Sequence, residues 1–259
     1  MRRFPQCPRW LLLGAGWLGF TASGFGQASS SKLPTVSYEG QSYVVHSVDP
    51  KKEDLRLFWK DDKGNLLQDF EGVKKELAAK GEQLVFGANA GMFEPDSKPV
   101  GLLVQDGVEQ VPINLNDAPG NFYLKPNGVF LINEKHEAKV IDSTLYAGQL
   151  LPTSWATQSG PLLVFGGNIH PEFNADSKSR KYRSGVGVRK DGIVVFALSE
   201  NPVTFYEFAS LFLEKLQCPN ALFLDGDISA FYFPDIKDPK PHTFGPMVGV
   251  VEKIPDGKK

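Results

Sequence analysis

Apolar positions in this chain fall in short runs broken by glycine turns rather than in long helical stripes. Gly101-Leu-Leu-Val-Gln105 and Val108-Glu-Gln-Val111 flank Asp106-Gly107. Asn121-Phe-Tyr-Leu124 and Val129-Phe-Leu-Ile132 flank a segment ending in Asn127-Gly128. Gly185-Val-Gly-Val188 and Ile193 to Leu198 flank Asp191-Gly192. Asp-Gly and Asn-Gly tolerate the positive φ that tight hairpin turns demand, so this pattern predicts three hairpins. Two stretches carry a helical period instead. Phe70 to Lys80 places Val73, Leu77 and Ala78 on one face, with Gly81 as a natural stop. Thr204 to Leu216 opens on a capping box, Thr204 with Glu207, and lines Phe205, Phe208, Ala209, Phe212 and Leu216 along one face, an aromatic stripe that reads as core. Leu84-Val-Phe86 and Ala221-Leu-Phe-Leu224 read as buried strands. The predicted class is α+β, a largely antiparallel sheet built from hairpins with a few packed helices.

The N-terminus changes the organisation. Arg2, Arg3 and Arg9 precede a short apolar run, Trp10 to Phe20, and small residues lead to Gly26-Gln27-Ala28. This reads as a cleavable signal peptide over residues 1–28, because the run is short of the ~20 residues needed to span a bilayer. A flexible tail over 29–34 and a single domain over 35–254 complete the expected layout, with no linker or low-complexity block between them. The expected location is periplasmic or secreted, with membrane contact only through the signal peptide during export. The full chain has a net charge of −2, and removal of three arginines would make the remainder more acidic. That argues against a nucleic-acid partner, which needs a clustered positive field. Only Cys218 would remain, so the domain forms no internal disulfide, and its apolar surroundings favour a buried inert thiol.

Common catalytic signatures are missing: no phosphate-binding P-loop, no His-Glu-x-x-His helix and no Gly-x-Ser-x-Gly elbow. Four polar clusters beside apolar strands carry the candidate chemistry. Asn89-Ala-Gly-Met-Phe93 offers an amide for a hydroxyl or phosphate oxygen, or equally for loop backbone groups. Ser159 in Gln158-Ser-Gly160-Pro has no histidine placed as its base, so a hydrogen-bonding turn serine is the plainer reading. Arg183 precedes the small-residue strand Ser184-Gly185, where its planar fork could hold an anion; a surface base is the alternative. Leu224-Asp225-Gly226-Asp227-Ile228-Ser229 delivers a carboxylate into a glycine turn. Asp225 could be a base, a nucleophile, a turn cap or, with Asp227 on the same face of an extended segment, half of a divalent-cation site.

Taken in order, these segments resemble the phosphodiester glycosidase family, whose Asn-Gly-Gly-Phe-Phe, Ser-Gly-x-Pro, Arg-Thr/Ser-x-x-Gly and Leu-Asp-Gly-Gly-x-Ser stretches align with residues 89–93, 159–161, 183–187 and 224–229. The family's hairpin aligns with Gly101 to Val111. Ala90, Met92, Asp227 and Ile228 depart from the pattern, which marks a divergent branch. The resemblance implies hydrolysis of a sugar-1-phosphodiester to free sugar and phosphomonoester, with a phosphorylated carbohydrate or glycan as partner. On the matched positions it implies catalytic roles for Asp225 and Arg183, with Glu94 as a reserve carboxylate. Asn89, Gly91, Phe93, Ser159, Gly160, Ser184, Gly226 and Ser229 would bind substrate. No cofactor is assigned beyond the candidate divalent cation on Asp225 and Asp227. Two other classes compete: a non-catalytic envelope protein that binds a glycan or phosphoglycan, and a metal-dependent phosphodiesterase.

Overall fold

The structure, a computed structural model, describes residues 33–149, 151–226, 228–236 and 243–255. The proposed signal peptide, residues 29–32 of the proposed tail, and Asp227 lie outside these described residues.

The strands are β1 (Thr35–Tyr38), β2 (Gln41–Val48), β3 (Asp54–Phe58), β4 (Glu82–Asn89), β5 (Leu103–Gln105), β6 (Val108–Val111), β7 (Gly128–Ile132), β8 (Ala138–Asp142), β9 (Trp155–Ser159), β10 (Leu162–Phe165), β11 (Asn168–Ile169), β12 (Ser184–Val188), β13 (Val194–Ser199), β14 (Asn220–Asp225), β15 (Phe231–Tyr232) and β16 (Met247–Lys253). They form three sheets in the orders β1-β2-β13-β12-β14-β10-β11, β15-β4-β16-β3 and β6-β5-β9-β7-β8. All pairings are antiparallel. The helices are α1 (Phe70–Ala79), α2 (Ser143–Ala147) and α3 (Phe205–Ser210), the last continuing as a π-helical turn over Leu211–Lys215. The α+β class with mostly antiparallel sheet is therefore correct.

The three sheets share one interior, in which Leu57 and Phe86 meet Phe130, Val186, Phe196, Leu222 and Leu224. The outer face of the seven-stranded sheet is covered by α3, with Phe208 and Phe212 fully buried against Leu163, Ala197 and Phe223. Burying one such side chain stabilises the fold by about 1.5–3 kcal/mol. β14 is thus covered on both faces, which explains its unbroken apolar run: Leu222 and Leu224 point inward, Ala221 and Phe223 toward the helix. Helix and sheet approach closely because β12 carries Gly185 and Gly187 on that side; a Cβ at Gly187 would lie 2.8 Å from both the Cys218 sulfur and Phe212. Cys218 is buried and its thiol is pushed up to about 12 by burial.

Local signals work as expected at both long helical stretches. Asp69 caps α1 by accepting from the Gly72 N–H at 2.7 Å, and Gly81 (φ 73°) ends it. Phe70, Val73 and Leu77 pack on β4 and β16 through Leu84 and Met247. The Thr204–Glu207 capping box is complete, and the departure from the expected helix is its second half, which widens to the π-helical turn. The hairpins at Asp106-Gly107 and Asp191-Gly192 form. The one expected at Asn127-Gly128 does not. Asn121–Tyr123 is a single 3₁₀ turn, and β7 pairs instead with β8 and β9. The Asn127 side chain explains the difference: it donates to the Phe122 carbonyl at 2.8 Å and accepts from Ser143, so it ties a loop together rather than turning a hairpin.

Candidate active site

The chain brings β4, β9, β12 and β14 together at one end of the seven-stranded sheet, and the polar clusters of the sequence meet there. Ser184 opens β12 opposite Asp225, the last residue of β14, and the register slips between Ser184 and Gly185. The bulge leaves backbone groups for side chains to satisfy. Ser184 Oγ donates to the Asp225 carbonyl at 3.1 Å and accepts from Asn89 Nδ2 at 2.9 Å. Ser229 Oγ lies 3.0 Å from Ser184 Oγ and 2.9 Å from the Asp225 carbonyl. Ser159, at the end of β9, donates to the Leu224 carbonyl at 3.1 Å. The Asp225 carboxylate accepts from the Gly226 N–H at 2.5 Å. Three serines and one asparagine therefore fix the backbone on both sides of Asp225.

Asn89 is fully buried, and among the described residues its Oδ1 meets no donor. A buried acceptor left unpaired costs about 1–3 kcal/mol. Gly91 turns the chain at φ 136°, pressed so close to β9 that a Cβ would lie 3.1 Å from Thr157 Oγ1. Gly160 is equally confined, with the Phe122 carbonyl 2.5 Å from where a Cβ would stand. Phe93 is half-buried, paired with Pro99 and packed under Gly245.

A cavity of about 240 Å³ opens beside this scaffold, lined by Met92, Asn121, Lys181, Arg183, Phe223, Asp225 and Gly226. Arg183, Asp225 and Gly226 thus share one cavity. Asn89, Ser159, Ser184 and Ser229 are not among its lining residues. Glu94 is exposed on the turn closed by the Glu94 N–H to Lys98 carbonyl bond, and it does not line the cavity either. Among the described residues, no group of three or more His, Cys, Asp or Glu side chains could hold a metal ion.

Arg183 is the unusual member. It is 2% exposed, yet it makes no ion pair among the described residues. Its Nε donates to the Val203 carbonyl at 2.9 Å, and the guanidinium lies 3.6 Å over the Phe205 ring and 5.6 Å from Phe223. Phe205 stacks in turn on Phe173 at 4.8 Å. The nearby acid, Glu207, is already engaged: it pairs with Arg180 at 2.5 Å and closes the helix cap. Burial pushes the Arg183 guanidinium down to about 10, opposed by Glu207, so it stays charged at neutral pH. A buried cation without a carboxylate partner favours any anion that enters the cavity.

In the sequence Phe205 reads only as core and Met92 only as a departure from the family pattern, and Lys181 and Asn121 carry no site reading. Lys181 had a readable signal: it stands two residues before Arg183, hence on the same side of an extended chain. Asn121 and Phe205 reach the site through packing, which leaves no local mark.

The family model for phosphodiester glycosidases matches residues 82–244, and the chain belongs to that family. It is 30% identical over 211 residues to the uncharacterized protein YigE of Escherichia coli K12, covering 81% of this chain and 82% of that one. Its fold is similar to the catalytic domain of zebrafish N-acetylglucosamine-1-phosphodiester alpha-N-acetylglucosaminidase, auto-inhibited by its pro-peptide (TM-score 0.60, 14% identity, 86% of this chain and 84% of that one). It is also similar to a putative exported protein from Burkholderia pseudomallei (TM-score 0.54, 11% identity, 81% and 74% coverage).

Proposed function

We propose that this chain is an exported hydrolase that cleaves a sugar-1-phosphodiester to free sugar and a phosphomonoester. The observation that carries this reading is the pairing, in one cavity, of an uncompensated buried arginine with a carboxylate fixed from both sides of its backbone. Family membership supports the reaction class, and the N-acetylglucosamine-1-phosphodiester in the name of the zebrafish enzyme supports a sugar joined to phosphate through its anomeric carbon. Export is supported by the signal-like residues 1–28 and by the exported Burkholderia neighbour.

The chemistry divides between the two charged groups. Arg183 holds the phosphodiester and neutralises the charge that grows on its oxygen as the C1–O bond breaks, with the bonding electrons leaving on phosphate. Phosphate is a good leaving group, so strong general-acid help is less necessary than for an ordinary glycoside. Asp225 acts at C1, either taking the proton of an attacking water or attacking directly before water completes the exchange. Lys181 adds a second positive charge at the rim. Asn89, buried behind the cavity, supports the scaffold by donating through Nδ2 to Ser184.

The test is turnover on a panel of sugar-1-phosphodiesters and aryl phosphodiesters in oxygen-18 water. Release from the sugar compounds, with label in the sugar, is expected. Asp225→Asn should reduce turnover by about a thousandfold or more with the fold intact by circular dichroism. Label in the phosphomonoester would overturn the proposal in favour of attack at phosphorus, and wild-type turnover in Asp225→Asn would remove Asp225 from its role.

A further inference from the structure

A second cleft lies at the opposite end of the strands that build the site. β12 and β14 run from the Ser184–Asp225 pair at the site to the Val188–Asn220 pair at the far end. At about 3.4 Å per residue, that separates the two ends by roughly 14–17 Å. The far cleft has a volume of about 570 Å³, against about 240 Å³ at the site. Three turns enclose it: Gly166-Gly167 after β10, Arg189 to Asp191 after β12, and the stretch from Leu213 to Pro219.

Its chemistry is uneven. Arg189 is held at one edge, where Nε donates to the Leu216 carbonyl at 3.0 Å. Neither Arg189 nor Lys190 forms an ion pair among the described residues. Asp191, the carboxylate lining the cleft, is committed to its own turn through the Ile193 N–H at 3.2 Å. Half-buried Leu213 and Pro219 supply an apolar wall. The backbone here departs from regular structure. Gln217 is left-handed at φ 58°, which costs a non-glycine residue about 1–2 kcal/mol, and it stands just past Leu216, the C-cap of the π-helical turn. Such turns recur at functional sites, and strain persists where the surroundings hold it in place. Here the holding bonds are Gly166 N–H to Asn220 Oδ1 at 2.9 Å, Gly167 N–H to the Pro219 carbonyl at 2.8 Å and Cys218 N–H to the Phe212 carbonyl at 2.8 Å.

We propose that this cleft is a second, non-catalytic binding site for an anionic sugar unit, with Arg189 and Lys190 taking the anion and Leu213 with Pro219 packing against the C–H face of the ring. Its volume falls within the range of small-molecule sites, and an anchored arginine beside a lysine suits phosphate or carboxylate alike. The site does not depend on catalysis at Asp225. With a polymeric substrate it would hold one unit while another occupies the cavity.

The test is a backbone-amide NMR titration of nitrogen-15-labelled protein with glucose 6-phosphate, glucuronate, glucose and inorganic phosphate. The amides of Gly166, Gly167 and Gln217 report the cleft; those of Gly91 and Gly226 report the catalytic cavity separately. Saturable cleft shifts are expected with an anionic sugar, persisting in Asp225→Asn and weakened about tenfold or more in the Arg189→Gln, Lys190→Gln double variant. Lys190→Glu alone, at an exposed position, should weaken binding without disturbing the fold. Binding of only one of the two anionic sugars would identify the anion as phosphate or carboxylate. No cleft shift up to about 20 mM of any probe, or an undiminished response in the double variant, would overturn the proposal. So would an equal response to glucose, which removes the anion requirement, or to inorganic phosphate, which removes the sugar.

Discussion

Two arginines in this protein meet opposite fates. Arg56, on β3, bonds Asp54 through Nε at 3.0 Å and Nη2 at 2.5 Å, and Glu82 through Nη1 at 2.8 Å and Nη2 at 3.0 Å. Those two carboxylates push its guanidinium above the usual range. Arg183 is more deeply buried, has carbonyls and aromatic rings in place of carboxylates, and is pushed down to about 10. The first is complete within the fold and joins neighbouring segments. The second leaves its charge unanswered, which the fold alone gains nothing from. The difference separates a structural cation from one arranged to receive an anion.

The strongest way to break this contrast is to replace both with methionine. Arg183→Met should reduce turnover on a sugar-1-phosphodiester by about a hundredfold or more. Its urea midpoint should hold or rise, because an unpaired buried charge has been removed. Arg56→Met should leave turnover unchanged and lower stability by about 1–3 kcal/mol, because two carboxylates are stranded together. A stability loss in Arg183→Met matching that of Arg56→Met would erase the distinction.

A finer test keeps the charge and removes its support. Phe205→Leu keeps an apolar side chain but removes the ring under the guanidinium, and should lower kcat by about threefold to thirtyfold, whereas Phe205→Tyr, which keeps the ring, should hold kcat near the unsubstituted level. Lys181→Ala should raise KM about threefold with kcat preserved, an effect that fades in high salt because the side chain is exposed.

The smallest effect concerns groups that can escape the problem Arg183 cannot. His46, stacked on Phe86 at 4.0 Å, and His170, stacked on Phe173 at 4.7 Å, are both lowered from 6.5 by burial. Above 6.5 both folded and unfolded forms are neutral and stability is fully present. As pH falls below 6.5 the unfolded chain binds protons first, so stability declines toward the folded values. His170→Gln should flatten that decline in chemical unfolding measured at pH 7.5 and pH 5. An unchanged slope in the variant would mean His170 does not contribute.

Much of this was legible in the sequence because it is local. The Thr204 capping box, the Gly81 stop, the Asp-Gly hairpins and the buried run before Asp225 are written in adjacent residues. Asp225 and Arg183 could be singled out because each ends or begins a strand beside glycine. The failures share one cause. Asn127-Gly128 has hairpin chemistry, but the Asn127 amide finds Phe122 and Ser143 instead of leaving its turn free. Phe205 has core periodicity, yet its ring serves Arg183. Both outcomes are decided by tertiary partners that one-dimensional spacing does not record.

The strand order carries a kinetic consequence. β2 lies against β13, pairing Val48 with Val194, and β4 lies against β16, pairing Asn89 with Met247. Contacts between such distant parts of the chain close large loops before they return any stabilisation, so folding should be slow for the protein's size, on the millisecond-to-second scale or longer. Asn89 sits on β4 between its bond to Ser184 and its pairing with Met247 on β16, the last strand in the chain. A chain still emerging from a ribosome would carry every candidate site residue before β16 is available to pair with β4, so proteolytic fragments should not complement unless they jointly restore β16.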